Sequence, residues 1–287
     1  MIKTYFVCGP TASGKTEYAI ELAERLGGEI VSADSMQIYK FMDIGSAKPT
    51  LEERARIKHW LVDEIDPRTP FNVASYQQLA LSYIQDIDAR GKLPVVCGGT
   101  GLYINSLIYK MDFSAPQGDD ACRRRILDEE GGDPVRIHER LRRLDPDAAE
   151  EIHVNNVKRA LRAIERLENG EEKLARFADA TAPSDVIEPV MYGIGMERSV
   201  LYERIDRRVD LLFEKGLEDE VRRLMAKGFT ADDVAMKGIG YKEIIEAIEN
   251  GLPAQSASET IKSNTRHYAR RQLIWLRRYP QIQWIRR

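Results

Sequence analysis

The octapeptide GPTASGKT, Gly9 to Thr16, leaves the first part of this chain little conformational choice. It fits the phosphate-loop pattern G-x-x-x-x-G-K-[ST] without a gap. Before it, the apolar run Tyr5-Phe6-Val7-Cys8 reads as a buried parallel strand, and after it Glu17 to Leu26 has helical spacing. In a strand–loop–helix unit the loop N–H groups and the helix N-terminus converge on one spot. Lys15 adds a mobile cation there, and the Thr16 hydroxyl is a candidate Mg²⁺ ligand. The expected occupant is a di- or triphosphate held by Gly9, Pro10, Thr11, Ala12, Ser13, Gly14, Lys15 and Thr16. A glycine-rich turn with no ligand is the alternative, and the agreement of position, spacing and context argues against it.

At 287 residues the chain is long enough for a domain of about 200 residues plus an insertion. It contains no apolar run of the roughly 18 residues a membrane span needs, and its N-terminus reads as entering a strand directly, so no signal peptide is expected. Cys8, Cys97 and Cys122 share no metal-ligand spacing, so reduced thiols in a cytoplasmic protein are expected. The net charge of −3 argues against a wholly basic nucleic-acid binder. That average hides a gradient: no acid follows Glu259, whereas Lys262, Arg266, Arg270, Arg271, Arg277, Arg278, Arg286 and Arg287 do.

Glu29 to Ala33 reads as a second strand, which delivers Asp34-Ser35-Met36-Gln37 to its carboxyl end, where parallel α/β sheets bind ligands. Three roles are open to Asp34: general base, Mg²⁺ ligand through water, or cap of the next segment. Thr50 and Glu53 form a capping box for a helix through Lys58, and His59 to Ile65 is expected to be a strand. Asn72 to Arg90 has the period of an amphipathic helix. Lys92 to Cys97 is the next buried strand, and it ends in Gly98-Gly99-Thr100-Gly101. A nucleotide hydrolase would offer an Asp at such a strand end to hold Mg²⁺. Glycines here let a ligand approach the backbone, and Thr100 offers a hydroxyl. A phosphorylated small molecule used as reactant fits better than a motor or switch ATPase.

From Asp112 to Pro189 strand-like runs vanish, and breaks at Gly131-Gly132 and Ala182-Pro183-Ser184 separate helical stretches: Asp119 to Glu130, Asp133 to Leu144 and Asn155 to Leu167. The expected division is 1–111 as the first part of the phosphate-loop core, 112–189 as an all-helical insertion, and 190–287 as completion of the core with basic C-terminal helices. Val190 to Gly195 reads as a strand rejoining the sheet. A long amphipathic stretch, Ser199 to Lys227, breaks near Gly216. Ser258 to Arg278 is a helix with one basic side and Leu273, Ile274, Trp275 and Leu276 for packing. His59, His138, His153 and His267 lack metal spacing, so structural roles are expected. No nucleophile elbow or Rossmann fingerprint occurs.

The stretches GPTASGKT (9–16), VSADSMQIYKFMDIGSAKP (31–49), GGTGLYI (98–104), DPDAAEEIHVNN (145–156), IDRRVDLLFEKGLEDEV (205–221), GIGYKE (238–243) and TRHYARRQLIWLR (265–277) closely resemble the tRNA dimethylallyltransferases, also called tRNA isopentenyltransferases. The likeness runs through nearly the whole chain, in family order. It implies an α/β fold with a P-loop NTPase-like parallel sheet flanked by helices. It also implies transfer of a dimethylallyl group from its diphosphate to N6 of the adenosine just 3′ of certain tRNA anticodons, with Mg²⁺. In that family the phosphate loop takes the prenyl diphosphate, although it is often described as a nucleotide (ATP) site.

By resemblance, Asp34 is the catalytic carboxylate, acting with Lys15, Thr16 and Thr100, and Thr16 is the metal ligand. Asp34, Ser35, Met36 and Gln37 match the family's tRNA-contacting turn, and Thr100 and Arg123 match single tRNA contacts. Lys158-Arg159-Ala160-Leu161-Arg162 matches a basic tRNA-contacting segment whose first position is more often Arg or Gln, so Lys158, Arg159 and Arg162 are expected on the anticodon stem-loop. Lys58-His59 stands where paired histidines are common, and Val154 replaces a usual Pro; neither touches the chemistry. The absence of a zinc-finger extension after the basic helix implies the bacterial type, and a monomer is expected. Three rivals remain: an isopentenyltransferase acting on free AMP, ADP or ATP, a metabolite kinase, and a non-catalytic RNA-binding protein that keeps the loop as scaffold.

Overall fold

A computed structural model of the chain describes residues 1–111, 113, 120–170 and 182–286. The expected boundary at Asp112, the helix start at Asp119 and the basic Arg287 lie outside the described residues. The chain forms two compact units, one made of Met1–Tyr109 with Pro183–Arg287, the other of Lys110–Ala182.

The larger unit begins with β1 (Ile2–Cys8), α1 (Lys15–Leu26), β2 (Glu29–Ala33), α2 (Leu51–Arg56), β3 (His59–Trp60), α3 (Val73–Ala89), β4 (Pro94–Gly98) and α4 (Gly101–Ile108). Within the smaller unit are α5 (Asp120–Glu129), α6 (Pro134–Leu144), α7 (Pro146–Glu151) and α8 (Val157–Glu168). The larger unit is completed by β5 (Ile187–Gly195), α9 (Arg198–Glu214), α10 (Leu217–Ala226), α11 (Tyr241–Glu249), α12 (Ser258–Leu276) and β6 (Gln283–Arg286).

All six strands pair in parallel in the order β3-β2-β4-β1-β5-β6. The registers Cys8↔Gly98 and Ala33↔Gly98 level the carboxyl ends of β1, β2 and β4, while Cys8↔Gly193 leaves β5 running two residues further. Gly9, Asp34 and Gly99 therefore leave the sheet in one row, with Gly9 and Asp34 two strand spacings apart, about 10 Å of backbone. One face of the sheet packs Phe6, Val31 and Val96 in the main core; the other packs Val7, Ile30 and Val95 against α1 through Ala19, Ile20 and Ala23. Fully parallel sheets are covered on both faces, which is why these strands read as continuous apolar runs rather than alternating ones.

Three expectations change. The strand at His59 stops at Trp60, because Leu61 (φ 59°) and Asp63 (φ 63°) take left-handed backbone that no strand tolerates. The edge strand β6 has no sequence counterpart among the expected elements; it is short, and three of its four residues are exposed. Ile274 is 49% exposed and does not join the packing of its neighbours Leu273 and Leu276. The capping box is present, with the Thr50 hydroxyl accepting from Glu53 N–H at 3.1 Å and the Glu53 carboxylate from Thr50 N–H at 2.7 Å.

The smaller unit buries Ile126, Ile137, Leu141, Ile152, Leu161 and Ile164 in a core of its own. His138 lies in that unit, its Nε2 within 2.7 Å of the Ile152 carbonyl and 3.0 Å of the Ala149 carbonyl, which is a structural role.

Candidate active site

The phosphate loop bends where its glycine demands it. Gly14 caps α1 with φ 83°, in the region that disfavours L side chains, and Ala12 also has positive φ (62°). Half-buried Lys15 folds its ammonium back to within 3.3 Å of the Pro10 carbonyl. Burial pushes the Lys15 pKa down, the Asp34 charge acts against that, and the Arg208 charge adds to it. Lys15, Asp34 and Arg208 therefore share one electrostatic environment. The Thr16 hydroxyl has no hydrogen-bond partner among the described residues, and buried Ser13 Oγ has none either.

Asp34 uses its two oxygens differently. Oδ1 accepts from the backbone N–H of Met36 at 2.9 Å and of Gln37 at 3.3 Å, so it does cap the following turn. Oδ2 has no hydrogen-bond partner among the described residues, and Asp34 lines a cavity of about 300 Å³ together with Thr11, Ser35, Met36, Arg208, Lys237, Tyr268 and Gln272. Thr100 closes the end of β4 over this turn: its N–H donates to the Ala33 carbonyl at 3.1 Å and its hydroxyl accepts from Ser35 N–H at 3.2 Å. Gln37 turns its amide inward, donating from Nε2 to the Ala47 carbonyl at 3.2 Å.

The glycines after β4 admit protein rather than ligand. A Cβ on Gly98 would strike the Ala33 carbonyl, one on Gly99 the Gln272 amide, and one on Gly101 the Trp275 ring. The expectation that they open the backbone to a ligand is therefore corrected: Ala33 at the end of β2 takes that space at Gly98, and α12 takes it at Gly99 and Gly101. Gln272 then ties the phosphate loop to the β4 end, accepting from Thr11 N–H at 2.9 Å and donating to the Gly99 carbonyl at 3.1 Å. Burial first, and the charge of Asp34 next, push the Tyr268 phenol up to about 12, against the hydrogen-bonding side chains of Thr100 and Gln272.

Four site groups were missed by reading charge alone: Arg208, Lys237, Tyr268 and Gln272. Arg208 looked like one more cation on an amphipathic helix, yet it flanks the buried stripe Leu201, Ile205, Val209 of α9. It makes no ion pair among the described residues, and burial lowers its pKa while Asp34 opposes. Its place three residues after buried Ile205 was the available signal. Glu220 was missed too. It is buried and accepts from the N–H groups of Asp43 (2.8 Å), Ile44 (2.8 Å) and Gly45 (2.9 Å) and from the Tyr241 hydroxyl (2.7 Å), fixing the segment that carries Gly45 and Ser46 into the cavity wall.

The thiols take no part. Burial above all, then the neighbouring Cys97, pushes the Cys8 pKa up; burial pushes Cys97 up to about 12, so both stay protonated and inert.

In the smaller unit, exposed Lys158, Arg159 and Arg162 share one face of α8, opposite buried Ala160, Leu161, Ala163 and Ile164. None of the three makes an ion pair among the described residues. Arg123 differs, because its Nε donates to the buried carboxylate of Glu165 at 2.7 Å.

The family described as IPP transferase matches residues 37–279. A tRNA dimethylallyltransferase of Acetivibrio thermocellus is 47% identical over 282 residues, covering 97% of this chain and 90% of that protein. One from Clostridioides difficile is 42% identical over 287 residues, covering 99% and 91%. Among solved structures, the tRNA isopentenylpyrophosphate transferase of Bacillus halodurans matches with a TM-score of 0.74 at 39% identity, covering all of this chain and 90% of that one. A eukaryotic dimethylallyltransferase acting on tRNA matches with a TM-score of 0.84 at 27% identity, covering all of this chain and 74% of that one.

Proposed function

This chain belongs to the IPP transferase family, that of the tRNA dimethylallyltransferases, and from that premise we propose how its own residues carry the reaction. The enzyme transfers a dimethylallyl group from dimethylallyl diphosphate to N6 of the adenosine 3′-adjacent to the anticodon in tRNA. The allylic C–O bond breaks, the new C–N bond forms, an N6 proton leaves, and diphosphate departs.

Two charges have to be managed. Lys15 and the phosphate-loop N–H groups that the protein does not already use would meet the departing diphosphate, and Arg208, which makes no ion pair among the described residues, adds a second cation within reach of the Asp34 charge. The N6 lone pair is delocalised into the adenine ring, so a base that takes the proton as the bond forms is valuable, typically about 10²–10⁴-fold. Asp34 fills that role through Oδ2, while its capped Oδ1 keeps the carboxylate from rotating away. This unshared oxygen, on a residue that lines one cavity with Arg208, is the observation that carries the reading.

The adenine must leave the anticodon-loop stack to reach the cavity, which costs a few kcal/mol unless protein groups replace the stacking. Thr100, by holding Ser35 N–H, fixes the turn against which the base is received. Lys158, Arg159 and Arg162 supply phosphate contacts in the smaller unit. Mg²⁺, when bound, supplies further stabilisation of diphosphate charge. The uncommitted Thr16 hydroxyl suits it, and among the described residues no group of three His, Cys, Asp or Glu side chains is placed to hold a metal, so phosphate oxygens and water would complete the coordination. No helix among the described residues is long and apolar enough to cross a membrane. A monomer working in the cytoplasm is part of the same reading.

Mass spectrometry of unmodified tRNA incubated with dimethylallyl diphosphate and Mg²⁺ tests it: one dimethylallyl group on the adenosine 3′ of the anticodon is expected. Prenylation of free AMP in place of tRNA, or γ-phosphate transfer from labelled ATP, would replace it with a rival.

A further inference from the structure

We propose that Phe41, with Lys40, Arg68 and Lys227 around it, is a stacking platform for an unpaired nucleotide of the tRNA other than the one that reacts; this rests on the tRNA reading above. Phe41 is at odds with its own backbone. Its φ is 69°, a left-handed conformation that a bulky L residue rarely adopts. Nothing in the packing compensates, since Phe41 is 46% exposed and joins none of the hydrophobic clusters. A large aromatic held open to water on disfavoured backbone points to a surface role, because local strain tends to persist where function retains it.

The surroundings say what kind of partner. Lys227 Nζ lies 4.7 Å from the Phe41 ring centroid, and the Arg68 guanidinium lies 4.4 Å from the Phe229 ring while donating to the Lys227 carbonyl. Lys40 is adjacent in sequence, and its N–H donates to the Ile65 carbonyl at 2.8 Å, which brings the Phe41 turn beside the segment leading to Arg68. Lys40, Arg68 and Lys227 are all exposed and make no ion pair among the described residues. Of the nearby acids, Asp43 pairs with Lys48 at 2.6 Å, and Asp66 accepts from the Arg68 backbone N–H at 2.9 Å and makes no ion pair with its guanidinium. An exposed ring bordered by cations that make no ion pair is how proteins hold single-stranded nucleic acid, by base stacking plus phosphate attraction.

The platform is near the chemistry and stiffly mounted. Gly45 of the cavity wall is four residues after Phe41, which bounds their Cα–Cα distance at about 14 Å. The Glu220 carboxylate pins the intervening N–H groups of Asp43 and Ile44. A nucleotide neighbouring the base in the cavity is the occupant that fits.

Steady-state kinetics with unmodified tRNA on the full chain test this. Stacking on an aromatic is worth enough that F41G should raise the tRNA KM about five- to tenfold. kcat and the prenyl diphosphate KM should stay within about twofold, and the melting temperature should not fall, because glycine suits the backbone. F41L, with bulk but no π face, should lose affinity in the same way, and F41W should keep it. K227A should make the salt dependence of tRNA binding shallower by about one unit of slope. A parent enzyme that prenylates tRNA while F41G and F41L match it in tRNA KM overturns this platform alone. A parent that neither binds nor prenylates tRNA overturns it together with the functional reading.

Discussion

Asp34 illustrates what a single side chain gains from its neighbours. With Oδ1 bound to two backbone N–H groups, only Oδ2 is left to meet a proton, so orientation is set before substrate arrives. D34N should therefore lower kcat about 10²–10⁴-fold while tRNA affinity changes little, because the asparagine carbonyl can still accept from Met36 and Gln37. Single-turnover rates measured beside tRNA binding check this; near-normal turnover in D34N would remove the base assignment. Arg208 is the group we propose for the other charge. R208A should cost about 10²-fold in kcat/KM for prenyl diphosphate, the scale of losing one oxyanion donor, with tRNA binding preserved, as varied-substrate kinetics would reveal. Asp34 and Lys15 were legible because each directly follows or opens a regular element. Arg208 was not, since its partners come from distant parts of the chain.

At the scale of elements, the site depends on strand ends that stay level, and β2 is anchored at its other end by Glu29. That buried carboxylate accepts from Arg90 (2.6 and 2.8 Å), Lys92 (2.7 Å) and Trp60 (2.8 Å). The Arg90 hydrogen bonds, opposed by burial and aided by Lys92 and Trp60, hold its pKa down to about 2 from an ordinary 4.5. A depressed folded-state pKa stabilises the fold fully above the unfolded value and ceases to do so as pH falls from 4.5 toward 2. The contribution is roughly 1–3 kcal/mol, discounted because Arg90 and Lys92 are more than a third exposed. Urea midpoints of the parent and E29Q should differ at pH 7 and converge as pH drops from 5 to 2. A gap that persists at pH 2 would mean that the cluster works by packing instead of charge. The period and apolar runs revealed β1, β2, β4 and α3, but not the stop after Trp60, where two non-glycine residues take positive φ.

On the scale of the whole molecule, the smaller unit is one continuous stretch of chain, and the larger unit closes on itself where that stretch leaves and returns. Tyr109 and Pro183 form an antiparallel bridge, and Ser184 N–H donates to the Ile108 carbonyl at 2.9 Å. Replacing 110–182 with a short glycine linker should leave a folded larger unit that still binds prenyl diphosphate but has lost most tRNA affinity, with Lys158, Arg159 and Arg162 gone. Calorimetry with each substrate decides; undiminished tRNA binding would reassign the RNA contacts to the larger unit.

The sequence by itself determined the phosphate loop, the strand that delivers Asp34, the helical character of the insertion and the family, because these depend on neighbours within a turn or a strand of one another. Only the tertiary structure decided that Gln272, 261 residues from Thr11, would lock the phosphate loop to the end of β4, that α12 would fill the space beside Gly99 and Gly101, and that Arg208 would face Asp34. The physical reason is that such contacts form when two helices from the end of the chain, α9 and α12, bury apolar residues against each other. Which polar residues beside those apolar ones then meet the cavity is a matter of packing angle and register, and no local period encodes either.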